Sequence, residues 1–236
     1  MAWFPRTTRL GTHMVYGQQA EDSCGIACVI MVNYLMKRWE LPLTLLSPFR
    51  QEFVRDVFRS ESEIDAAYSK VIGQTYNGST PTYARQLASV LNELNIGHWQ
   101  ALNVSAKNVP NMILSACIGA QGTPVIALVN WRDGGGHFVV CDMTGRIGGQ
   151  TCADFCDPYD TSVHTLRIAR DQPINYQVHK EASTSAHLYW TANDSGPMDG
   201  WVICRTQASN TLRSPQSVRA AQNMNFAQSR QIRRFA

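Results

Sequence analysis

The amino-acid sequence predicts an α+β fold, with helices first and an antiparallel sheet after them. Residues 23–94 contain stretches with the spacing of apolar side chains that helices show. From His98 onward the apolar runs are short and are separated by loops, as the strands of a sheet are. The chain has 236 residues with 44% hydrophobic content, so a domain of this class can bury its core without a metal or a disulfide.

The helical part is expected to contain one buried central helix. The first twenty residues show no regular pattern, and a helix is then expected over about 23–39, with Asp22 or Ser23 as its cap. Its first three turns are apolar on nearly every side, which indicates burial, since a surface helix would show a polar face. Further helices are expected at 50–59, at 61–72 and from Ser79-Thr80-Pro81 to about Leu94.

The second part of the chain is expected to form the sheet. A strand near 98–103 and a helix near 107–118 lead to residues 123–131, which are apolar on both faces, as a buried strand is. A glycine-rich loop connects this run to a second one at 137–142, and the two together predict a hairpin. Further strands are expected at 151–156, 163–169, 186–192 and 200–204.

Residues 205–236 differ from the rest of the chain in charge. The whole chain carries a net charge of +3, and this segment holds six arginines and no acid, which leaves a net charge of −3 on residues 1–204. A domain of that charge is unlike the basic domains that grip nucleic acid. We therefore expect one domain over 1–204, followed by an Arg-bearing C-terminal helix or tail over 205–236 that is merely solvated.

No secretion signal and no membrane span is visible in the sequence. The N-terminus lacks a charged stretch leading into an apolar run, and the longest apolar run, Ile26 to Met36, is interrupted by Asn33 and too short for a bilayer. Seven cysteines at uneven spacing favour free thiols in a reducing compartment over a disulfide framework. We expect a protein that is cytoplasmic at synthesis and not inserted in a membrane, with export by a specialised route left open.

Cys24 and His137 are the candidates for nucleophilic chemistry. Cys24 lies in the first turn of the predicted buried helix, where the N–H groups and the dipole of the helix stabilise a thiolate. Attack by a thiolate also needs an acid that protonates the leaving group, and in such sites that acid is an imidazole. His137 stands after three glycines at the start of a buried strand, which makes it the best supplier.

Asp157 and Gln18 complete the predicted site. Asp157 ends the strand 151–156, and we expect a neighbouring strand to bring it beside His137, where it accepts a hydrogen bond that orients the imidazole. The oxyanion that forms on the attacked carbonyl needs hydrogen-bond donors. The side-chain amide of Gln18 and the backbone N–H of Cys24 are the two candidates.

Three blocks of sequence carry a resemblance to a known family. The blocks are Gln18-x5-Cys24-Gly25-Ile26-Ala27-Cys28, Gly135-Gly136-His137-Phe138-Val139-Val140 and Asp157-Pro158-Tyr159. Their order and chemistry resemble papain-like cysteine peptidases, above all the bacterial branch that includes the double-glycine peptidases of bacteriocin exporters and related stand-alone and effector proteases. The interval of six residues in that family selects Gln18 over Gln19. Asp157 stands where papain itself uses Asn, which fits the bacterial branch, and residues 160–236 lie outside the match.

The resemblance implies a role for each residue and an architecture. Cys24 is expected to be the nucleophile, His137 the general acid/base, Asp157 the orienting residue and Gln18 the oxyanion-hole donor. The implied fold is papain-like, with a helical lobe over about 20–120, a sheet lobe over about 121–204 and the active site in the cleft between them.

The implied function is that of a cysteine peptidase which cleaves a peptide or isopeptide bond through an acyl-enzyme, with no cofactor and no metal. The expected partner is a protein or peptide substrate, with an inhibitor or immunity protein as a further candidate and no nucleic acid. A role as the peptidase part of an exporter is not expected. By analogy with relatives, the setting is a bacterial effector or toxin protease delivered into another cell.

Several alternatives stay open. The same triad would serve an acyltransferase or a glutamine deamidase, and an inactive binding module would keep Cys24 as an ordinary buried thiol. The pairs Cys24-x3-Cys28 and Cys152-x3-Cys156 could together bind zinc, although zinc sites use two-residue spacing more often. Gly148-Gly149 is either a turn or a self-processing site. Residues that could replace a triad member are Asp142, Asp160, His98, His164, His179 and His187, and those that either wall the cleft or pack in the core are Trp131 and Tyr159.

Overall fold

A computed structural model describes residues 3–38, 50–117, 122–132, 134–177 and 195–206. The described helices are α1 (Cys24–Lys37), α2 (Arg50–Val57), α3 (Glu61–Ile72), α4 (Ala84–Glu93) and α5 (Val109–Ala116). The described strands are β1 (Trp3–Thr7), β2 (Thr12–Tyr16), β3 (Trp99–Val104), β4 (Val125–Asn130), β5 (Gly136–Ile147), β6 (Gln150–Cys156), β7 (Val163–Arg167), β8 (Asn175–Gln177) and β9 (Ser195–Arg205).

A large antiparallel sheet follows most of the helices, so the α+β prediction is confirmed. The strand order in this sheet is β3-β9-β4-β5-β6-β7, and β8 pairs with the beginning of β9. The described residues up to Arg205 belong to one compact unit. The predicted tail lies outside the described residues except for Arg205 and Thr206, and so does the strand predicted at 186–192.

Helix α1 is the centre of the fold, as its sequence predicts. It packs across β5 and also contacts α3 and α4. Eleven of its residues are buried, including Asn33, whose side-chain amide donates to the carbonyls of Asp56 and Val57 at the end of α2. These two donated bonds tie the helices together, whereas the Oδ1 of the same amide is buried with no hydrogen-bond partner among the described residues.

The N-terminal residues form a hairpin, so the expectation of an irregular start was wrong. Strand β1 pairs with β2 from Trp3 opposite Tyr16 to Thr7 opposite Thr12. The rings of Trp3 and Tyr16 meet edge to face, with their centroids 5.1 Å apart. Each strand has only five residues and β1 contains Pro5, so the local pattern is too short and too interrupted to indicate a strand.

Helix α4 begins at Ala84, three residues later than the cap-and-proline signal at Ser79-Thr80-Pro81 predicts. The preceding residue, Tyr83, is extended, and its N–H donates to the hydroxyl of Tyr68. Thr82 lies against Gly25 of α1, so closely that a Cβ on Gly25 would stand 2.1 Å from the Thr82 hydroxyl. These contacts hold the segment extended, which explains why the local signal fails.

The hairpin predicted from two apolar runs is confirmed as β4 and β5, paired from Val125 opposite Cys141 to Asn130 opposite Gly136. Strand β5 is longer than expected, since it continues beyond residue 142 to Ile147. Gly148 and Gly149, both with positive φ, make a two-residue turn into β6. The glycine pair is therefore a hairpin turn in the fold.

Both faces of the sheet are buried, which explains why β4 and β5 are apolar throughout. Phe138 and Val140 of β5 face the core that contains α1, whereas Val139 and Cys141 face a second core that contains α5. No helix in the described part of the chain is long and apolar enough to span a bilayer.

Candidate active site

The fold brings Cys24, His137 and Asp157 together. Cys24 is the first residue of α1, His137 follows the first residue of β5, and Asp157 comes directly after β6. Because α1 crosses β5 and β6 pairs with β5, residues far apart in sequence meet at one end of these elements. The Nε2 atom of His137 lies 2.8 Å from Oδ1 of Asp157, and the His137 side chain lies near enough to Cys24 for the thiol to influence the pKa of His137.

The imidazole of His137 is fixed in one orientation. Its Nε2 is hydrogen-bonded to Asp157, so Nδ1 is the ring nitrogen that remains to interact with Cys24. The ring of Trp131 stacks on the imidazole, with centroids 5.4 Å apart and planes at 15°, and the ring of Tyr159 meets it edge-on at 6.0 Å. The two aromatics predicted either to wall the cleft or to pack in the core thus contact His137 directly.

Asp157 is fully buried, and each of its carboxylate oxygens accepts a hydrogen bond. Oδ1 accepts from His137 and from the backbone N–H of Tyr159, and Oδ2 accepts from the hydroxyl of Tyr176 at 2.7 Å. The Asp157 N–H donates to the carbonyl of Ser162. A buried carboxylate held by this many donors stays ionised and stays in place.

The charges of the pair stabilise each other. Burial alone would lower the pKa of His137, but the charge and hydrogen bond of Asp157, together with Cys24, raise it from 6.5 to about 10. Burial alone would raise the pKa of Asp157, but the charge and hydrogen bond of His137 outweigh it and lower that pKa below its ordinary value. At neutral pH the site therefore contains an imidazolium beside the Cys24 thiol.

Gln18 lies next to the triad but presents its amide elsewhere. Its backbone N–H donates to the carbonyl of Pro158, which places it beside Asp157. Its side-chain Nε2 donates to the carbonyls of Ala20 and Glu21, and its Oε1 is buried with no hydrogen-bond partner in the described part of the protein. The side chain must rotate before its N–H groups could face an oxyanion. The alternative, Gln19, uses its amide on the hydroxyl of Tyr16.

The other histidines and aspartates considered for the triad are paired with other residues, are exposed or lie outside the described residues. Asp142 pairs with His13, and Asp160 pairs with His164 at 2.7 Å. His98 is exposed, and His179 and His187 lie outside the described residues.

The four-thiolate zinc site is not formed within the described residues. The Cys28 thiol donates to the carbonyl of Phe138, and the Cys152 thiol contacts the carbonyl of Gln150. All seven cysteines are free thiols. The clusters with metal-ligating atoms in the described ranges are His13, Asp142 and Cys156, and Asp157, Asp160 and His164.

A cavity of about 490 Å³ is lined in part by residues next to His137 in the chain and by Thr82, which contacts the residue after Cys24. Its wall includes Thr82, which contacts Gly25 next to Cys24, and Gly136, which precedes His137. Leu128 and Phe138 supply apolar surface, and Trp201 forms another part of the wall. Cys24 and His137 themselves do not line this cavity.

Sequence reasoning missed Tyr176, which binds the candidate orienting residue. It lies on the three-residue strand β8, which has no motif and lies beyond the last block of the resemblance. A lone tyrosine between Asn175 and Gln177 gives no signal that its hydroxyl reaches a buried carboxylate.

The chain matches no protein-family model, and no curated protein matches it either. The geometry of the site is therefore what supports a function for this protein.

Proposed function

We propose that this protein is a cysteine peptidase of papain-like fold that cleaves a peptide or isopeptide bond through an acyl-enzyme. The observation that carries the proposal is the grouping of Cys24, His137 and Asp157, with His137 hydrogen-bonded to Asp157 and the thiol at a helix N-terminus. A nucleophile, a general acid/base and an orienting carboxylate in this order are what acyl transfer requires. The helical lobe and sheet lobe of a papain-like fold, and the delivery of the protein as a bacterial effector or toxin, belong to this proposal as well.

The first half of the reaction forms the acyl-enzyme. The thiolate form of Cys24, paired with the His137 imidazolium, attacks the substrate carbonyl carbon, a C–S bond forms and the carbonyl oxygen becomes an oxyanion. The oxyanion then collapses, the C–N bond breaks, and the N–H of the His137 imidazolium gives its proton to the departing amine. Because the pKa of His137 is about 10, the ring is an imidazolium at neutral pH and has this proton to give.

The second half releases the acid. The neutral His137 takes a proton from a water molecule, whose oxygen attacks the thioester carbon. The C–S bond breaks and the carboxylic acid departs, so the thiolate and the imidazolium are restored. Asp157 remains ionised throughout and holds the ring in place.

The start of α1 is suited to stabilise the oxyanion. The first N–H groups of a helix have no acceptor within the helix. Ser23, the N-cap residue, makes no side-chain capping bond, because its hydroxyl is engaged with Ala20. The first turn also lacks an acidic residue that would oppose a developing negative charge.

The test is digestion of a peptide library made from a bacterial proteome, followed by mass spectrometry. Parent protein, Cys24→Ala and Cys28→Ala are compared; Cys28 is the matched control, since it lies one turn further along α1 and its thiol faces a backbone carbonyl. We expect new peptide termini with the parent and the control but not with Cys24→Ala. Termini that persist with Cys24→Ala would contradict the proposal, and a mass gain of one unit at glutamine without scission would replace the peptidase by a deamidase.

A further inference from the structure

Tyr176 lies behind the candidate triad and contacts two of the groups that hold His137. Its hydroxyl donates to Oδ2 of Asp157 at 2.7 Å. Its ring lies 6.3 Å, centroid to centroid, from the ring of Trp131, which stacks on His137. Tyr176 is fully buried, so no water competes for its hydroxyl from solvent.

The bonds of the Asp157 carboxylate show why the hydroxyl matters. Oδ1 has two donors, His137 and the Tyr159 N–H, whereas the donor described for Oδ2 is Tyr176. Removal of the hydroxyl would leave a buried carboxylate oxygen without this partner. The carboxylate could then turn about its Cβ–Cγ bond, which would weaken the bond from Oδ1 to the imidazole.

The hydroxyl acts as a donor across the whole working range of pH. Burial and the negative charges of Asp157 and Asp160 raise the pKa of Tyr176 well above its ordinary value. The other titratable groups that face it are Cys156 and His164, and the His164 ring meets the Tyr176 ring edge-on at 5.1 Å. The tyrosine therefore stays protonated while the carboxylate stays ionised.

The fold holds Tyr176 in position through β8. Tyr176 pairs with Gly196 of β9, and the N–H of Met198 donates to the carbonyl of Ile174 just before β8. Gly196 packs so closely on the carbonyl of Asn130 that a Cβ there would lie 1.8 Å from its oxygen. A short strand anchored this tightly places the hydroxyl with little freedom.

We propose that Tyr176 is a positioning residue of the candidate triad: its hydroxyl holds Oδ2 of Asp157 so that Oδ1 faces Nε2 of His137. This inference rests on the proposed function, because it assigns a supporting role in that same site. Tyr176 touches neither the thiol nor the substrate carbonyl in this scheme, and it acts only through Asp157.

The test is the variant Tyr176→Phe, which removes one oxygen and keeps the ring. We expect the His137 imidazole, followed by ¹⁵N NMR, to lose its proton at a pH lower by about one unit, a tenfold change in its acid dissociation constant. The rate of Cys24 alkylation by iodoacetamide at pH 6 should fall roughly tenfold, because an imidazolium that is held less firmly stabilises the Cys24 thiolate less. Phe155→Leu is the control: the Phe155 ring packs edge-on against Tyr176 but has no group that could bind Asp157.

The outcomes separate the inference from the proposed function. If Cys24 in the parent protein is alkylated only as an ordinary thiol is, at a rate that rises near pH 8.5, both the proposed function and the positioning role fail. If parent protein labels at acid pH and folded Tyr176→Phe behaves identically, only the positioning role is overturned. An equal change in Phe155→Leu would also overturn it, since packing alone would then explain the effect. Should Tyr176→Phe not fold, the parent serves: a slowly exchanging hydroxyl proton of Tyr176 is expected by NMR, and its absence overturns the inference.

Discussion

Replacement of Asp157 by Asn tests the electrostatics of the candidate triad. The substitution keeps the size of the side chain and an oxygen that can accept from His137, but it removes the negative charge. That charge and its hydrogen bond are the largest influences that raise the pKa of His137, and they act against the burial of the ring. Burial is unchanged in the variant, so the balance should reverse.

The structure sets the size of the effect. In parent protein the pKa of His137 is raised from 6.5 to about 10, a difference that corresponds to roughly 5 kcal/mol in favour of the imidazolium. In Asp157→Asn we expect the pKa of His137 to fall to or below 6.5. At pH 8 the ring should therefore be cationic in the parent and neutral in the variant.

The same charges predict how stability depends on pH. The pKa of His137 is higher in the folded state, so its contribution is complete below about pH 6.5 and is lost as the pH rises through about 10. The pKa of Asp157 is lower in the folded state, so its contribution is present above its ordinary 3.8 and is lost as the pH falls through its folded value.

The assay is ¹⁵N NMR of histidine-labelled protein titrated between pH 5 and 11, with His137→Gln used to assign the signal of His137. Cooperative urea unfolding at each pH shows that the variant remains folded. An Asp157→Asn imidazole that still titrates near 10 would refute the reasoning, because the charge of Asp157 would then not be what raises the pKa of His137.

Two further predictions concern stability. His13, which lies between the buried carboxylates of Asp142 at 2.8 Å and Asp154 at 2.9 Å, has a pKa raised to about 9 although burial lowers it; His13→Gln should cost about 3–5 kcal/mol in urea unfolding at pH 6. The difference in unfolding free energy between parent and His13→Gln should be largest below about pH 6.5 and should shrink as the pH rises through 9. A difference that does not change with pH would contradict this. Gly25→Ala should destabilise by about 1–3 kcal/mol, since its new Cβ would collide with Thr82. The double variant with Thr82→Ala should recover part of that loss in thermal unfolding, and no recovery would show that the collision is not the cause.

The sequence predicts the features that depend on local chemistry. The buried helix α1, the β4–β5 hairpin and the α+β order follow from continuous apolar runs. Such runs indicate burial whatever element they pack against. The meeting of Cys24, His137 and Asp157 could be anticipated because nucleophile, base and orienting acid must adjoin to work at all.

The features that the sequence does not predict depend on tertiary contacts. The late start of α4 follows from the approach of Thr82 to Gly25, which no local signal encodes. The β1–β2 hairpin depends on Trp3 and Tyr16 packing together, and the orientation of the Gln18 amide depends on the carbonyls of a loop. The role of Tyr176 is not predicted by the sequence either, because it depends on the pairing of β8 with β9.

The central claim is that Cys24 is activated by His137. The most direct measurement is the rate of iodoacetamide alkylation of Cys24, followed by peptide mass spectrometry from about pH 4 to pH 10 in parent protein and in His137→Ala. We predict fast labelling that persists to acid pH in the parent and slows near neutrality in the variant, with Cys28 as the internal reference because burial raises its pKa well above the ordinary value. Labelling that rises only near pH 8.5 and is the same in both proteins would contradict the account and make Cys24 an ordinary buried thiol.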